Sequence, residues 1–314
     1  MTTVKVPDEC GSPQILSVRK IWDRAPHSAF TDLVRFRDQW WCTFREAADH
    51  GRSIGTVRIL FSEDGEGWES AAEIEEQEVD LRDPKLSVMP DGRLMLVAGG
   101  SVYEGTEYRT RSPRVAFSED GRLWTPPRKV LAEDHWLWRV TWHKGQAYSV
   151  SKLGESYDPR RGFLYSSADG VDWQWITEFI LPNDVWNASE TTLRFMPDDE
   201  LVALTRPHWI GISKPPYRNW KWTQLRENMG GPNFIRLPHG TLWAAARGRH
   251  EDGSSATVLA RMTYDSYEPV LRLPSGGDCS YPGLVWHDDL LWMTYYSSHE
   301  GKTSIYLAHI RLRP

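Results

Sequence analysis

Ser62-Glu63-Asp64-Gly65-Glu66-Gly67-Trp68, Ser118-Glu119-Asp120-Gly121-Arg122-Leu123-Trp124 and Ser167-Ala168-Asp169-Gly170-Val171-Asp172-Trp173 are three copies of one pattern, S-x-D-G-x-x-W. An apolar stretch such as Val57 to Phe61 or Phe163 to Tyr165 precedes each copy. Asp-Gly supplies a tight turn between two strands, Ser and Asp can bond backbone groups of that turn, and Trp packs where the chain re-enters the sheet. The copies start at positions 62, 118 and 167, recurring after 56 and 49 residues, a period that marks a stacked or radial repeat.

Working outward, the chain holds six hairpins of apolar strand, polar turn and second apolar strand. The first strands begin at Asp32, Leu86, Arg139, Leu193, Phe234 and Gly283, spaced 54, 53, 54, 41 and 49 residues apart. Turns such as Pro90-Asp91-Gly92 and Pro238-His239-Gly240 follow, and second strands begin at Trp40, Leu94, Ala147, Leu201, Leu242 and Leu291. Six units of four short strands predict an all-β, six-bladed β-propeller in a single domain, 1–314. Ser213 to Trp220 and Thr263 to Tyr267 are degenerate copies of the turn pattern. The last unit runs out after Ser304 to His309, while Ile15 to Trp22 is a strand without a hairpin. The N-terminal strand is therefore expected to close blade six and remove the exposed edges. With 24 Gly, 20 Pro and no long segment of period 3.6, a helical fold is disfavoured.

Composition narrows the function classes modestly. A net charge of −6 argues against nucleic acid or an anionic membrane surface as partner. Three cysteines, Cys10, Cys42 and Cys279, are too few for a disulfide framework. Met1 to Cys10 has no apolar leader-like core, which makes the cytoplasm the expected location and the Asn187-Ala188-Ser189 sequon silent. Seventeen Trp exceed what blade packing needs, and some are expected to line a carbohydrate site. Neither a metal-ligand spacing nor a phosphate loop is present in the sequence, so no metal or cofactor is expected.

The two edges of such a ring differ in kind. Antiparallel pairing puts the start of each first strand and the end of each second strand on one edge, and the turns on the other. Five residues beyond the second-strand starts stand Arg45, Gly99, Lys152, Arg206, Arg247 and Tyr296; near the first-strand starts stand Asp32, Asp83, Arg139, Glu190, Asn233 and Tyr281. A salt-bridged rim explains any one of these about as well as a site does. The whole set, charged on one edge in nearly every blade, favours a site. Convergent guanidinium groups suit a carboxylate, which they pair bidentately.

The repeated turn resembles the Asp-box of the sialidase superfamily, and stretches of four blades extend the resemblance. Ser189-Glu190-Thr191-Thr192 with Leu201 to Arg206 resembles the sialidase segment carrying a glutamate and the second arginine of a carboxylate-binding triad. Ala246-Arg247-Gly248-Arg249 falls where the third arginine is expected. Cys279 to Leu284 is similar to the segment of the nucleophilic tyrosine, and Phe44-Arg45-Glu46-Ala47-Ala48-Asp49 to the blade-one loop of the acid/base aspartate. Ala29-Phe30-Thr31-Asp32 stands where sialidases place their first arginine, so Arg45 is its candidate replacement.

The resemblance implies an exo-acting retaining glycosidase for a carboxylate-bearing terminal sugar. Tyr281 would be the nucleophile, deprotonated by Glu190, since a neutral phenol avoids repulsion by the substrate carboxylate; sialidases are the exception among glycosidases in using Tyr in this role. Asp49 would be the acid/base, with Asp32 as competitor. Arg45, Arg206, Arg247, Asp32 and Arg139 would bind substrate. Two alternatives stay open: cleavage of another acidic glycan, including by lyase chemistry, and a non-catalytic glycan-binding propeller using His135-Trp136-Leu137-Trp138 as a stacking platform.

Overall fold

The computed structural model describes residues 12–51, 53–105, 107–154, 161–182 and 188–312. Cys10 and Asn187 of the sequon lie outside the described residues. Strands form six separate sheets, and the described residues contain no helix. Blade one comprises His27–Phe36, Gln39–Ala47, Thr56–Ser62 and Glu69–Ile74, each antiparallel to the next, and blades two, four and five repeat that order. The first strand of each blade faces its counterparts around the central axis. Blade six is closed by the N-terminal strand: Gln14–Trp22 pairs antiparallel with Ser304–Arg311, Val18 opposite Ala308. The fold is thus the all-β six-bladed propeller expected above.

Blade three departs from the expected hairpin. Its first strand is split, His135–Leu137 and Thr141–His143 both pairing with Gln146–Leu153, so Arg139 falls in the gap and not in a strand.

Both faces of a blade are covered by neighbouring blades, so the middle strands are apolar without alternation; Leu201, Val202, Ala203 and Leu204 are all fully buried. One core cluster joins Phe36, Trp41 and Ile59 of blade one to Leu81, Leu86 and Leu96 of blade two. The S-x-D-G-x-x-W turns add to this inter-blade packing. In each, the Gly N–H donates to the Ser hydroxyl, at 2.8, 2.8 and 2.9 Å, and the Trp indole donates to the Gly carbonyl at 2.9–3.1 Å. Gly is required twice over, by φ of 78–81° and by close approach. A Cβ on Gly65 would lie 2.3 Å from Trp292 of blade six, and one on Gly121 2.3 Å from Trp41 of blade one. In the degenerate copy of blade four, Tyr217 at φ 63° takes the Gly position, and its carbonyl accepts the Trp220 indole at 3.0 Å.

Candidate active site

On the edge opposite those turns, the first strands of blades one, two, five and six break register at one shared place. The bulges lie between Ala29 and Asp32, Arg82 and Lys85, Gly230 and Asn233, and Ser280 and Gly283. Each contains a residue at positive φ: Phe30 (67°), Asp83 (50°), Gly231 (56°) and Tyr281 (51°). A bulge re-aims a side chain, and non-glycine residues held at positive φ concentrate at functional sites. Gly231 is small for a reason, because a Cβ there would lie 2.5 Å from the Tyr281 ring.

Tyr281 is brought against Glu190 of blade four. Its hydroxyl donates to Glu190 Oε1 at 2.8 Å, and Arg206 Nη1 donates to the same oxygen, also at 2.8 Å. Glu190 Oε2 is buried and has no hydrogen-bond partner among the described residues. Burial raises the Glu190 carboxyl, but the charges of Arg206 and Lys152 outweigh it and hold the group well below the usual carboxylate range. Burial, then the Glu190 charge, hold the Tyr281 phenol well above its ordinary value against Arg206. The pair is a neutral phenol donating to an ionised carboxylate.

Arg247 stands on the other side of the tyrosine, its guanidinium carbon 5.3 Å from the ring centre. Its Nη2 donates to the Tyr296 hydroxyl oxygen at 2.7 Å and to Asp278 Oδ1 at 3.2 Å. Tyr296 donates to the same Asp278 oxygen at 2.9 Å.

A cavity of about 390 Å³ opens beside Glu190, walled by Asp83, Lys152, Arg111, Trp136, Trp138 and His50 among others. Arg111 and Lys152 lie 5.4 and 5.2 Å from the Trp136 ring centre. Asp83 Oδ1 is buried here with no hydrogen-bond partner among the described residues. Burial raises its carboxyl and Glu190 adds to the rise, opposed by Lys85 and Arg82. The two neighbouring carboxyls are thus pushed in opposite directions, Asp83 up and Glu190 down. A larger apolar cavity, about 730 Å³, lies on the turn edge among Leu237, Leu242, Trp243 and Met262. Its wall carries His239 and Asp265 but, among the described residues, no pair of carboxylates like Asp83 and Glu190.

Four sequence expectations end elsewhere. Arg45 is fully enclosed: Nε donates to Asp80 Oδ1 at 2.7 Å, Nη1 to the Asp49 carbonyl at 2.8 Å and Nη2 to the Ser53 carbonyl at 2.7 Å. It does not replace the missing arginine, because Asp80 of blade two and the loop over it engage all three guanidinium nitrogens and leave none exposed. Asp49 Oδ1 accepts the N–H groups of Gly51 and Ser53 at 2.9 and 3.2 Å, bracing that loop, and the cavity wall does not include Asp49. Asp32 is fully buried, taking Arg139 Nη1 at 2.5 Å and the Leu86 N–H at 2.9 Å. This buried link ties blades one, two and three, so for Asp32 and Arg139 the salt-bridge reading is the right one. Asp32 and Asn233 sit two positions beyond their bulge residues, one layer deeper than Asp83 and Tyr281. Sequence reasoning placed Asp83 on the edge without a role, and it missed Asp278 and its histidine contacts, which no local spacing signals.

No protein-family model matches the chain, and no curated protein matches it. Solved structures do. A protein of unknown function from Dyadobacter fermentans superposes with a TM-score of 0.84 at 17% identity, covering 98% of this chain and 100% of that one. The GH93 α-L-arabinofuranosidase of Fusarium graminearum, in complex with arabinobiose, gives 0.73 at 15% identity, covering 95% and 98%. Trypanosoma rangeli sialidase gives 0.71 at 12% identity, covering 91% of this chain and 55% of that one. The chain therefore has the six-bladed β-propeller fold that these sialidase and arabinofuranosidase structures share.

Proposed function

We propose that the chain is a retaining exo-glycoside hydrolase for an anionic terminal sugar, with Tyr281 as nucleophile. One observation carries the reading: a neutral, strained Tyr281 donating at 2.8 Å to an ionised Glu190 that is itself held by Arg206. An ion pair that served only the fold has no use for a tyrosine at positive φ in that position. In the first step the phenol oxygen bonds to the anomeric carbon as the bond to the leaving oxygen breaks, and the phenol proton passes to Glu190. The leaving oxygen takes a proton from a carboxylic acid. We assign that acid to Asp83 in place of Asp49, because Asp83 stands on the cavity wall with an unpartnered oxygen and a raised pKa. In the second step the Asp83 carboxylate takes a proton from water, the water oxygen bonds to the anomeric carbon, and Tyr281 leaves as Glu190 returns its proton.

An anionic sugar is favoured by the half-open guanidinium groups of Arg206 and Arg247 and by Lys152 and Arg111 on the cavity wall. With Arg45 sealed, the arginine set of a sialidase is incomplete, and sialic acid itself is no longer singled out. Trp136 and Trp138 supply apolar faces for a sugar ring. The test is a panel of aryl glycosides of sialic acid, uronic acids and neutral sugars, run with wild type and Tyr281→Phe. We expect release of the aryl alcohol from an acidic glycoside and its loss in the variant. Turnover of none, or an undiminished rate in Tyr281→Phe, sinks the proposal.

A further inference from the structure

His27, His50 and Asp278 come from the first strand of blade one, the loop after its second strand, and the entry to blade six. Their donor atoms nevertheless meet. Asp278 Oδ2 lies 2.9 Å from His27 Nε2 and 2.6 Å from His50 Nδ1, and the three atoms lie within 4.8 Å of one another. The hydrolase reading uses none of these contacts. We propose that His27, His50 and Asp278 form a binding site for a divalent transition-metal ion of the zinc class at the rim of the cavity.

The division of labour on the carboxylate supports this. Oδ1 is engaged by Tyr296 and Arg247, which leaves Oδ2 for the imidazoles. Ligating carboxylates are oriented through outer-shell hydrogen bonds in this way. Two imidazole nitrogens and one carboxylate oxygen suit zinc and its neighbours, whereas calcium and magnesium prefer six or more oxygens. Three protein ligands leave a coordination position open, the pattern of sites that take up an exogenous oxygen. His50 lines the cavity, so that position is next to the substrate space. Arg247 on the far oxygen opposes the metal by like charge, so binding weaker than at a structural zinc site is expected.

The site is independent of the hydrolase reading, and its test reads metal directly. The untagged full chain is stripped with a chelator, dialysed, and titrated with zinc chloride by calorimetry and cobalt(II) chloride by absorption. We expect one equivalent of each, with proton release and the d–d bands of low-coordinate cobalt. Asp278→Asn and His50→Ala should each weaken uptake by about tenfold or more. His50 is more than half exposed, so its loss leaves the fold intact, which a melting curve checks. No uptake by wild type means a hydrogen-bonded cluster only and overturns the proposal. Uptake unchanged in both variants, or calcium binding as tightly as zinc, overturns it equally.

Discussion

Arg45–Asp80 and Arg247–Asp278 are one arrangement built twice. Each arginine pairs with the residue just before a bulge, Ala29 or Gly230, and each aspartate stands three residues before the next blade's positive-φ residue, Asp83 or Tyr281. The first pair bridges blades one and two, the second blades five and six. Their exposures differ completely: both side chains of the first are at 0%, those of the second at 27% and 26%. The loop after Arg45 folds inward, its Asp49 and Ser53 carbonyls capping the guanidinium and the Gly55 N–H capping Asp80. The loop after Arg247 turns back on itself instead, His250 N–H to the Ser254 carbonyl and Gly253 N–H to the His250 carbonyl. The same charges become a rivet under a loop and a site without one.

The largest effect that tests this contrast is on stability. Arg45→Met leaves the buried Asp80, among the described residues, with Arg82 and the Gly55 N–H alone, and breaking such a pair costs roughly 3–5 kcal/mol. Urea unfolding measures it, and the surviving folded protein should keep its kinetics. A catalytic defect at unchanged stability would return Arg45 to the site.

Arg247→Met should show the opposite split. Turnover of an acidic glycoside is expected to fall by roughly 10²-fold in kcat/KM, about 2.7 kcal/mol, with a much smaller change in urea midpoint. Equal losses in both measurements would make the second pair a rivet too.

On the opposite edge, Gly121→Ala sharpens the contrast by acting far from either pair. The added methyl meets the Trp41 indole at a φ of 78°, so a loss of roughly 1–3 kcal/mol is expected with unaltered kinetics. A catalytic loss at full stability would place chemistry on the wrong edge.

The smallest effect concerns pH. The Asp83 carboxyl is raised, chiefly by burial, above its unfolded value of about 3.9. Its contribution to stability is therefore fully present below that value and is lost as pH rises through the raised folded pKa. Asp83→Asn removes the dependence, so the variant should gain on wild type across that window and equal it in acid, while losing turnover. Urea titrations in a pH series check this. A variant less stable than wild type at neutral pH would show that Asp83 is a structural anion and not the acid.

Much of the fold was legible because its signals are local. The turn pattern needs only residues two to three apart: Asp64 Oδ1 accepts the Glu66 and Gly67 N–H groups at 2.7 and 3.2 Å and is thereby held below the usual carboxylate range. Hairpin turns and apolar runs are equally local, and the unassigned Ile15 to Trp22 stretch had one free edge to join. Glu190, Tyr281, Arg206 and Arg247 were named from motif and strand register. What register concealed was the bulge, which brings Asp83 to the cavity wall and Tyr281 against Glu190 behind it, and leaves Asp32 in the deeper layer.

By itself the sequence determined the ring, its closure and the edge that carries charge, since each follows from short-range turn chemistry and the two-residue period of a strand. Only the tertiary structure decided which of those charges are sealed and which stay open to solvent. Arg45 and Arg247 are indistinguishable in strand register, and so are Asp80 and Asp278 relative to the bulges. Their fates diverge because a loop covers one pair and two histidines from blade one approach the other, and contacts across 228 and 251 positions leave no mark in local spacing.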